Sequence, residues 1–335
     1  MTRDRGGTVV GVGIIGLGFM GRTHLAAYAS AEASGHRCSV RAAHDPGRRA
    51  SAAGNLIAAG GADELLASLP REASVDALLA RRDIDLVSIC TPTDTHVGLV
   101  RAAIAAGKHV IVEKPTALDA SAIDGLARDA REAGVLVMPA HCMRFWPAWA
   151  WMADAVRGLR FGAPRRAQFR RVGARPSWSQ DFYLDVARSG GAAVDLHIHD
   201  ADFVRFAFGE PSTVSARGTR MHVHARYEFA SGLVVEAEGG WQEDPSFPFT
   251  MSATIECERG TMDFLLGRVP ELLLRTADGE RPVEVGGEYP EGSGYDFEIR
   301  AMLSALESGA TAAPVTLADA AATQRLLDRE CAQLS

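Results

Sequence analysis

The sequence predicts an α/β protein, with a doubly wound parallel sheet at the N-terminus and a second, α+β domain built on an open, mostly antiparallel sheet. Three observations predict it. The apolar run 9–15 leads straight into Gly16-Leu17-Gly18-Phe19-Met20-Gly21 and an alanine-rich stretch. Continuous apolar segments then alternate with helical ones to about residue 140, as βαβ units require. Beyond that point the segments alternate polar and apolar residues and are separated by turns such as Ser231-Gly232, Arg259-Gly260 and Asp278-Gly279.

The elements follow in order. Residues 9–15 form a buried strand, and 22–33, rich in alanine, a helix. A second strand, 39–44, ends in Asp45-Pro46 and precedes a helical stretch at 48–59. Residues 60–83 offer no convincing third strand. The segment 84–90 has the length and β-branching of a fully buried parallel strand. A helix at 95–106 stops at Gly107, a strand at 109–112 closes on Glu113-Lys114-Pro115, and a helix at 120–133 stops at Gly134 before a last strand at 135–138. In the second domain the strand-like segments are 163–173, 212–221, 222–229, 233–241, 249–257 and 271–276. Helices are expected at 149–157, 192–208, 295–307 and 317–331. The domains are thus expected at 1–140 and 141–335.

Composition narrows the function. A net charge of -7 argues against a surface that neutralises nucleic-acid phosphates. No apolar run reaches the roughly 20 residues of a membrane span, and the N-terminus lacks the apolar core of a signal peptide. The five cysteines are scattered and form no CxxC pair, which suits free thiols in a reducing compartment. A cytoplasmic protein is expected.

The glycine run acquires meaning from its place between a buried strand and a helix, the context of a Rossmann dinucleotide site. Gly16 permits the tight turn, Gly18 lets backbone approach a pyrophosphate, and Gly21 lets helix and strand pack closely. The N–H groups at Phe19 and Met20 open the helix toward the phosphates. Asp45, at the end of the next strand, would accept hydrogen bonds from the adenosine ribose and favours NAD. Arg48 and Arg49 could instead pair with the extra phosphate of NADP, which stays the alternative.

Three signals in fixed order resemble one family. They are the loop Gly16 to Gly21, the turn Thr91-Pro92-Thr93 with His96 and with Glu113-Lys114-Pro115, and Gly190-Gly191 followed by Asp195 and His199. Together with Arg144-Phe145 and the closing helices they resemble the glucose–fructose oxidoreductase, inositol dehydrogenase and rhizopine-catabolism (Gfo/Idh/MocA) family. The resemblance implies an N-terminal Rossmann domain and a C-terminal domain for substrate, catalysis and oligomerisation. The outer face of its open sheet would join copies into a homodimer or homotetramer. It implies that Lys114, Asp195 and His199 are catalytic, and that Thr91, Pro92, Thr93, His96 and Glu113 lie at the cofactor. One departure stands out: Cys142-Met143 precede Arg144 where the family often has asparagine.

The chemistry agrees. Oxidising a secondary alcohol needs a base for the hydroxyl proton, and because histidine as a residue type titrates near neutrality His199 suits the task. Asp195, four residues earlier on the expected helix, would share its face and orient the imidazole. Lys114, at the carboxyl end of a parallel strand, would hold the substrate oxygen. Arg144, with Arg170, Arg171 and Arg175, forms a basic group able to take a substrate carboxylate or phosphate. Trp178 and Tyr183 could stack on a sugar or pack in the core. His197 is the core-facing candidate of the histidine pair, and His222 and His224 face the wetted side of their strand. Asp200 and Asp202 are read as surface carboxylates, with Asp202 able to reach the His199 face. No metal is expected, because Asp195, His199 and Asp202 account for that face without one. The expected activity is hydride transfer between a nicotinamide and a sugar, inositol or related polyol. The alternatives are a lyase, glycosidase or epimerase that retains its NAD, and a non-catalytic dinucleotide-binding sensor.

Overall fold

The computed structural model describes residues 9–47, 62–177 and 180–335. The chain divides into two compact units, residues 1–141 with 295–321 and residues 142–294 with 322–335.

The first unit is built on five parallel strands: β1 (Val10–Ile15), β2 (Cys38–His44), β3 (Leu86–Ile89), β4 (His109–Glu113) and β5 (Val137–Ala140). Their order in the sheet is β2-β1-β3-β4-β5. The chain runs one way from β1 to β2 and the other way from β1 to β3, so a crevice opens beyond the carboxyl ends of β1 and β3. Its helices are α1 (Phe19–Ala33), α2 (Ala62–Ser68), α3 (Val75–Leu79), α4 (His96–Ala105) and α5 (Ala120–Ala133). Helix α5 starts on Asp119, whose side chain accepts from Ser121 N, and stops at Gly134 in the left-handed region, φ 68°. Val12, Ile14, Leu86, Val87, Val110 and Val112 are fully buried, as strands covered on both faces require.

The absent third strand has a physical remnant. Ala43 exchanges backbone hydrogen bonds with Pro70 and Glu72, a single bridge to Arg71 at the edge of β2. Helices α2 and α3 occupy the rest of that region. The helix expected at 48–59 lies outside the described residues.

The second unit carries helices α6 (Pro147–Arg157), α7 (Gln180–Tyr183), α8 (Val186–Ser189), α9 (Ala192–Asp195) and α10 (Ile198–Phe208). Helix α11 (Gly294–Glu307) belongs to the first unit almost entirely, and α12 (Leu317–Cys331) begins in the first unit and ends in the second. The sheet comprises β6 (Pro164–Ala174), β7 (Thr213–Thr219), β8 (His222–Glu228), β9 (Val234–Gln242), β10 (Thr250–Cys257), β11 (Gly260–Leu265), β12 (Leu272–Thr276) and β13 (Gly279–Pro282). Their order is β13-β12-β11-β10-β6-β9-β8-β7. Only the central pair β6 and β9 is parallel. One face packs on α6 and α10 through Trp149, whose ring lies 4.8 Å from Phe203, 5.7 Å from Phe169 and 5.6 Å from Phe264. The other face is polar, with Arg166 bound to Glu236 and Arg170 to Glu238.

The single helix expected at 192–208 is two. His197 N donates to Ala192 O, five residues back, at 2.9 Å, so one residue more than an α-turn is taken up before α10 begins. Strands β11 and β13 were not expected. The second is wholly exposed and held by its backbone pairing with β12.

Candidate active site

In the first unit, backbone defines the site. Gly16, at φ 89°, follows β1, and a Cβ there would lie 2.6 Å from Cys90 O at the end of β3. A Cβ at Gly21 would lie 2.0 Å from Gly16 O, so only glycine lets α1 approach the strand this closely. Gly18 is the opposite case, with nothing within 4 Å of such an atom. It also caps α1 with no side-chain hydrogen bond and no acidic residue in the first turn. Open space beside an uncapped helix start is what a pyrophosphate needs. The glycine loop, Phe19 and Met20 therefore fit a dinucleotide.

Asp45 is tied to the loop. Its Oδ2 accepts from Leu17 N at 2.8 Å and its Oδ1 from Gly47 N at 2.7 Å. Each oxygen keeps a further lone pair for a ribose hydroxyl. Arg48 and Arg49 lie outside the described residues.

At the ends of β3 and β4 the expected contacts change character. His96 is 1% exposed, and its two ring nitrogens each lie 2.8 Å from a backbone carbonyl, Nδ1 from Pro115 O and Nε2 from Thr91 O. Burial draws its pKa down against the pull of those carbonyls, and burial prevails. His96 is thus a staple between two turns, and its ring nitrogens are not left for a cofactor. Thr91 Oγ1 pairs with Thr95 Oγ1 at 2.7 Å, and Thr93 is buried at the start of the turn that Pro92 caps.

Glu113 is also a brace. Lys114 N donates to its Oε2 at 3.2 Å, and His24 Nε2 lies 3.1 Å from its Oε1. A carboxylate only accepts, so Nε2 carries a proton, while Nδ1 lies 3.2 Å from Ser88 Oγ. Ser88 Oγ in turn lies 2.8 Å from Tyr28 Oη. Burial pushes Glu113 up, but the His24 hydrogen bond and the Lys114 charge outweigh it and hold it below the usual carboxylate range. Lys114 itself is half-buried between buried Glu113 and Pro115, at a cis peptide bond. Glu298 of α11 is fully buried, and its pKa is pushed well up by burial and by Glu113. His24, Ser88, Tyr28 and Glu298 all escaped the sequence reading. The histidine on the inner face of an alanine-rich helix was the one available signal.

In the second unit, side chains define the site. From Gly191 to Asp200 every residue is buried except Asp195 and His199. The inserted residue at the α9–α10 junction, rather than one continuous helix, arranges this. His197 faces inward, its Nε2 3.1 Å from Tyr227 Oη and 3.0 Å from Glu330 Oε2. Burial pulls that imidazole down and Glu330 more than restores it, leaving its pKa raised.

The basic group resolves into separate ion pairs. Arg144 donates from Nε and Nη2 to the two oxygens of Asp202, both at 2.7 Å, and Thr323 Oγ1 also donates to Asp202. Arg171 binds Asp200, Arg170 binds Glu238, and Arg175 binds Glu243. Arg144 is therefore a buried partner of Asp202 and not a free substrate clamp. Asp200 and Asp202 are buried at 0% and 1% exposure, not surface carboxylates, because arginines compensate them. Tyr183 packs edge-on to Trp241 at 5.5 Å. Trp178 lies outside the described residues.

The comparisons agree with this division. Residues 10–141 match the model of an oxidoreductase family with an NAD-binding Rossmann fold, and 149–263 match the GFO/IDH/MocA C-terminal domain. A 1,5-anhydro-D-fructose reductase of Ensifer adhaerens is 29% identical over 252 residues, covering 70% of this chain and 73% of that protein. An inositol 2-dehydrogenase of Rhizobium meliloti (strain 1021) is 28% identical over 284 residues, covering 74% and 80%. A levoglucosan dehydrogenase solved with NADH and levoglucosan shares the fold, with a TM-score of 0.84 at 21% identity over 97% of each chain. No helix among the described residues is long and apolar enough to cross a membrane.

Proposed function

We propose that this chain, which belongs to the Gfo/Idh/MocA oxidoreductase family, moves hydride between NAD and a secondary alcohol or ketone of an uncharged sugar, cyclitol or related polyol. The observation that carries the reading is the pair Asp195 and His199, the two residues that reach solvent in an otherwise buried segment. When bound, the nicotinamide supplies the hydride acceptor. His199 takes the hydroxyl proton, and Asp195 orients the imidazole. Lys114, its main chain fixed by Glu113, holds the substrate oxygen and favours developing negative charge on it. The glycine loop and Asp45 hold the dinucleotide, and the free lone pairs of Asp45 favour NAD over NADP. An uncharged substrate is favoured because the four arginines once grouped as an anion site each have a carboxylate of their own. The relatives named as acting on an anhydro-sugar and an inositol support a sugar or polyol substrate.

The test is a panel of inositols, anhydro-sugars, aldoses and sugar phosphates, assayed with NAD and with NADP by nicotinamide absorbance. Turnover of uncharged polyols with NAD is expected. A preference for sugar phosphates, or silence with NAD found bound after denaturation, would overturn the reading. We further expect copies to pair through the polar outer face of the second unit's sheet as a homodimer or homotetramer. A monomer by light scattering at micromolar concentration would remove that expectation.

A further inference from the structure

We infer that the outer face of the second unit's sheet carries a transition-metal site, formed by His222 and His224 of β8 and Glu238 of β9 and suited to zinc(II). It is independent of hydride transfer and lies on residues with no part in it, on the sheet face through which copies are expected to pair. His222 and His224 are two apart on one strand, so both leave the same face. Register places Glu238 directly opposite His224 on the neighbouring strand. One donor atom from each residue lies within 4.8 Å of the others. Tetrahedral zinc, with bonds of about 2.0–2.2 Å, needs donors roughly 3.3–3.6 Å apart. Small rotations of two half-exposed rings close that difference.

The surroundings are arranged as a ligating set requires. Glu238 divides its oxygens: Oε2 accepts from Arg170 Nε at 2.8 Å, while Oε1 faces His222 Nε2 at 2.9 Å. The Arg170 bond orients the carboxylate and leaves Oε1 for an ion. On the other side of the His222 ring, Nδ1 lies 3.4 Å from the side-chain amide of Gln242. With that amide turned, its carbonyl accepts Nδ1–H and fixes the tautomer that presents Nε2. Gly240 makes room for the ring, since a Cβ there would lie 2.6 Å from His222 Nδ1.

An ion pair between His222 and Glu238 alone would not need His224. Two imidazoles and one carboxylate select zinc, copper or nickel over magnesium or calcium. Arg170 and Arg217 oppose a cation, so the affinity is on the order of micromolar and not the far tighter range of closed structural sites.

The experiment is calorimetric titration of the full chain, without an affinity tag, with zinc chloride and separately with magnesium chloride. One zinc per chain is expected, with no magnesium binding. His222→Ala and His224→Ala should each weaken zinc by more than about tenfold, and Gln242→Ala, which removes only the orienting amide, by about tenfold or less. Cobalt(II) added to the unaltered protein should give the intense visible absorption of a tetrahedral site, a readout that needs no variant to fold. No uptake at 100 times the protein concentration, uptake unchanged in the double histidine variant, or cobalt spectra of octahedral type would each overturn the site.

Discussion

Between Gly16 and Gly21 the first unit keeps side chains away, whereas between Asp195 and Asp202 the second unit is almost entirely side-chain chemistry. In the first region a missing Cβ is the functional feature, while His96 and Glu113 brace the neighbouring turns and His24 and Ser88 back Glu113. In the second region alternate carboxylates are divided between two tasks. Asp195 and His199 reach solvent, while Asp200 and Asp202 are buried against arginines. The lesson is that a dinucleotide can be held by shape and dipoles, whereas proton transfer needs a titrating group that water and substrate can reach.

This contrast can be broken in three ways. The largest effect is expected from His199→Ala, which should lower turnover by about 10²–10⁴-fold and leave dinucleotide affinity unchanged. The rise of the oxidative rate with pH through neutrality should vanish with it. Weakened NAD binding in that variant, measured by fluorescence titration, would show that the division of labour is wrong.

Next comes Asp202→Ala, which removes the bidentate carboxylate partner of the buried Arg144 side chain. The expected loss is about 3–5 kcal/mol in denaturant unfolding. A loss below about 1 kcal/mol would mean that Arg144 reaches water and behaves as a surface pair.

The smallest effect concerns Glu298. Its folded pKa lies well above the ordinary 4.5, so the folded state keeps a proton that the unfolded chain releases. Stability therefore falls as pH rises above that value, until the folded pKa is passed. Glu298→Gln should remove this slope, seen as a difference in Tm against pH between the two proteins. Parallel curves would assign the ionised form to Glu298 and sharpen the question of what compensates it.

What was legible in the sequence was what local physics enforces. Gly16, Gly18 and Gly21 answer to backbone geometry within one turn, and α5 announced its end through Gly134, while its Asp119 cap went unread. Asp195 and His199 stood out by residue type, although the reason given, a continuous helix, was replaced by a junction with one extra residue. The arginine partners were illegible because they lie far away in sequence. Arg144 and Asp202 are 58 residues apart, and Arg170 and Glu238 are 68. Glu113 and His24, separated by 89, met the same obstacle. Strand β13, Gly279–Pro282, has no apolar alternation to betray it, because backbone pairing with β12 alone holds it. In β11 the alternation of Met262 and Phe264 was present but went unused.

The one-to-one matching of Arg144, Arg170, Arg171 and Arg175 with carboxylates shapes how a solute reaches the second unit. Each pair presents a local dipole in place of a basic field, and such dipoles fade within the Debye length of about 8 Å at physiological salt. An uncharged polyol arrives by diffusion and is retained by fit. Added salt, which slows enzymes that draw in charged substrates, leaves that arrival rate where it was.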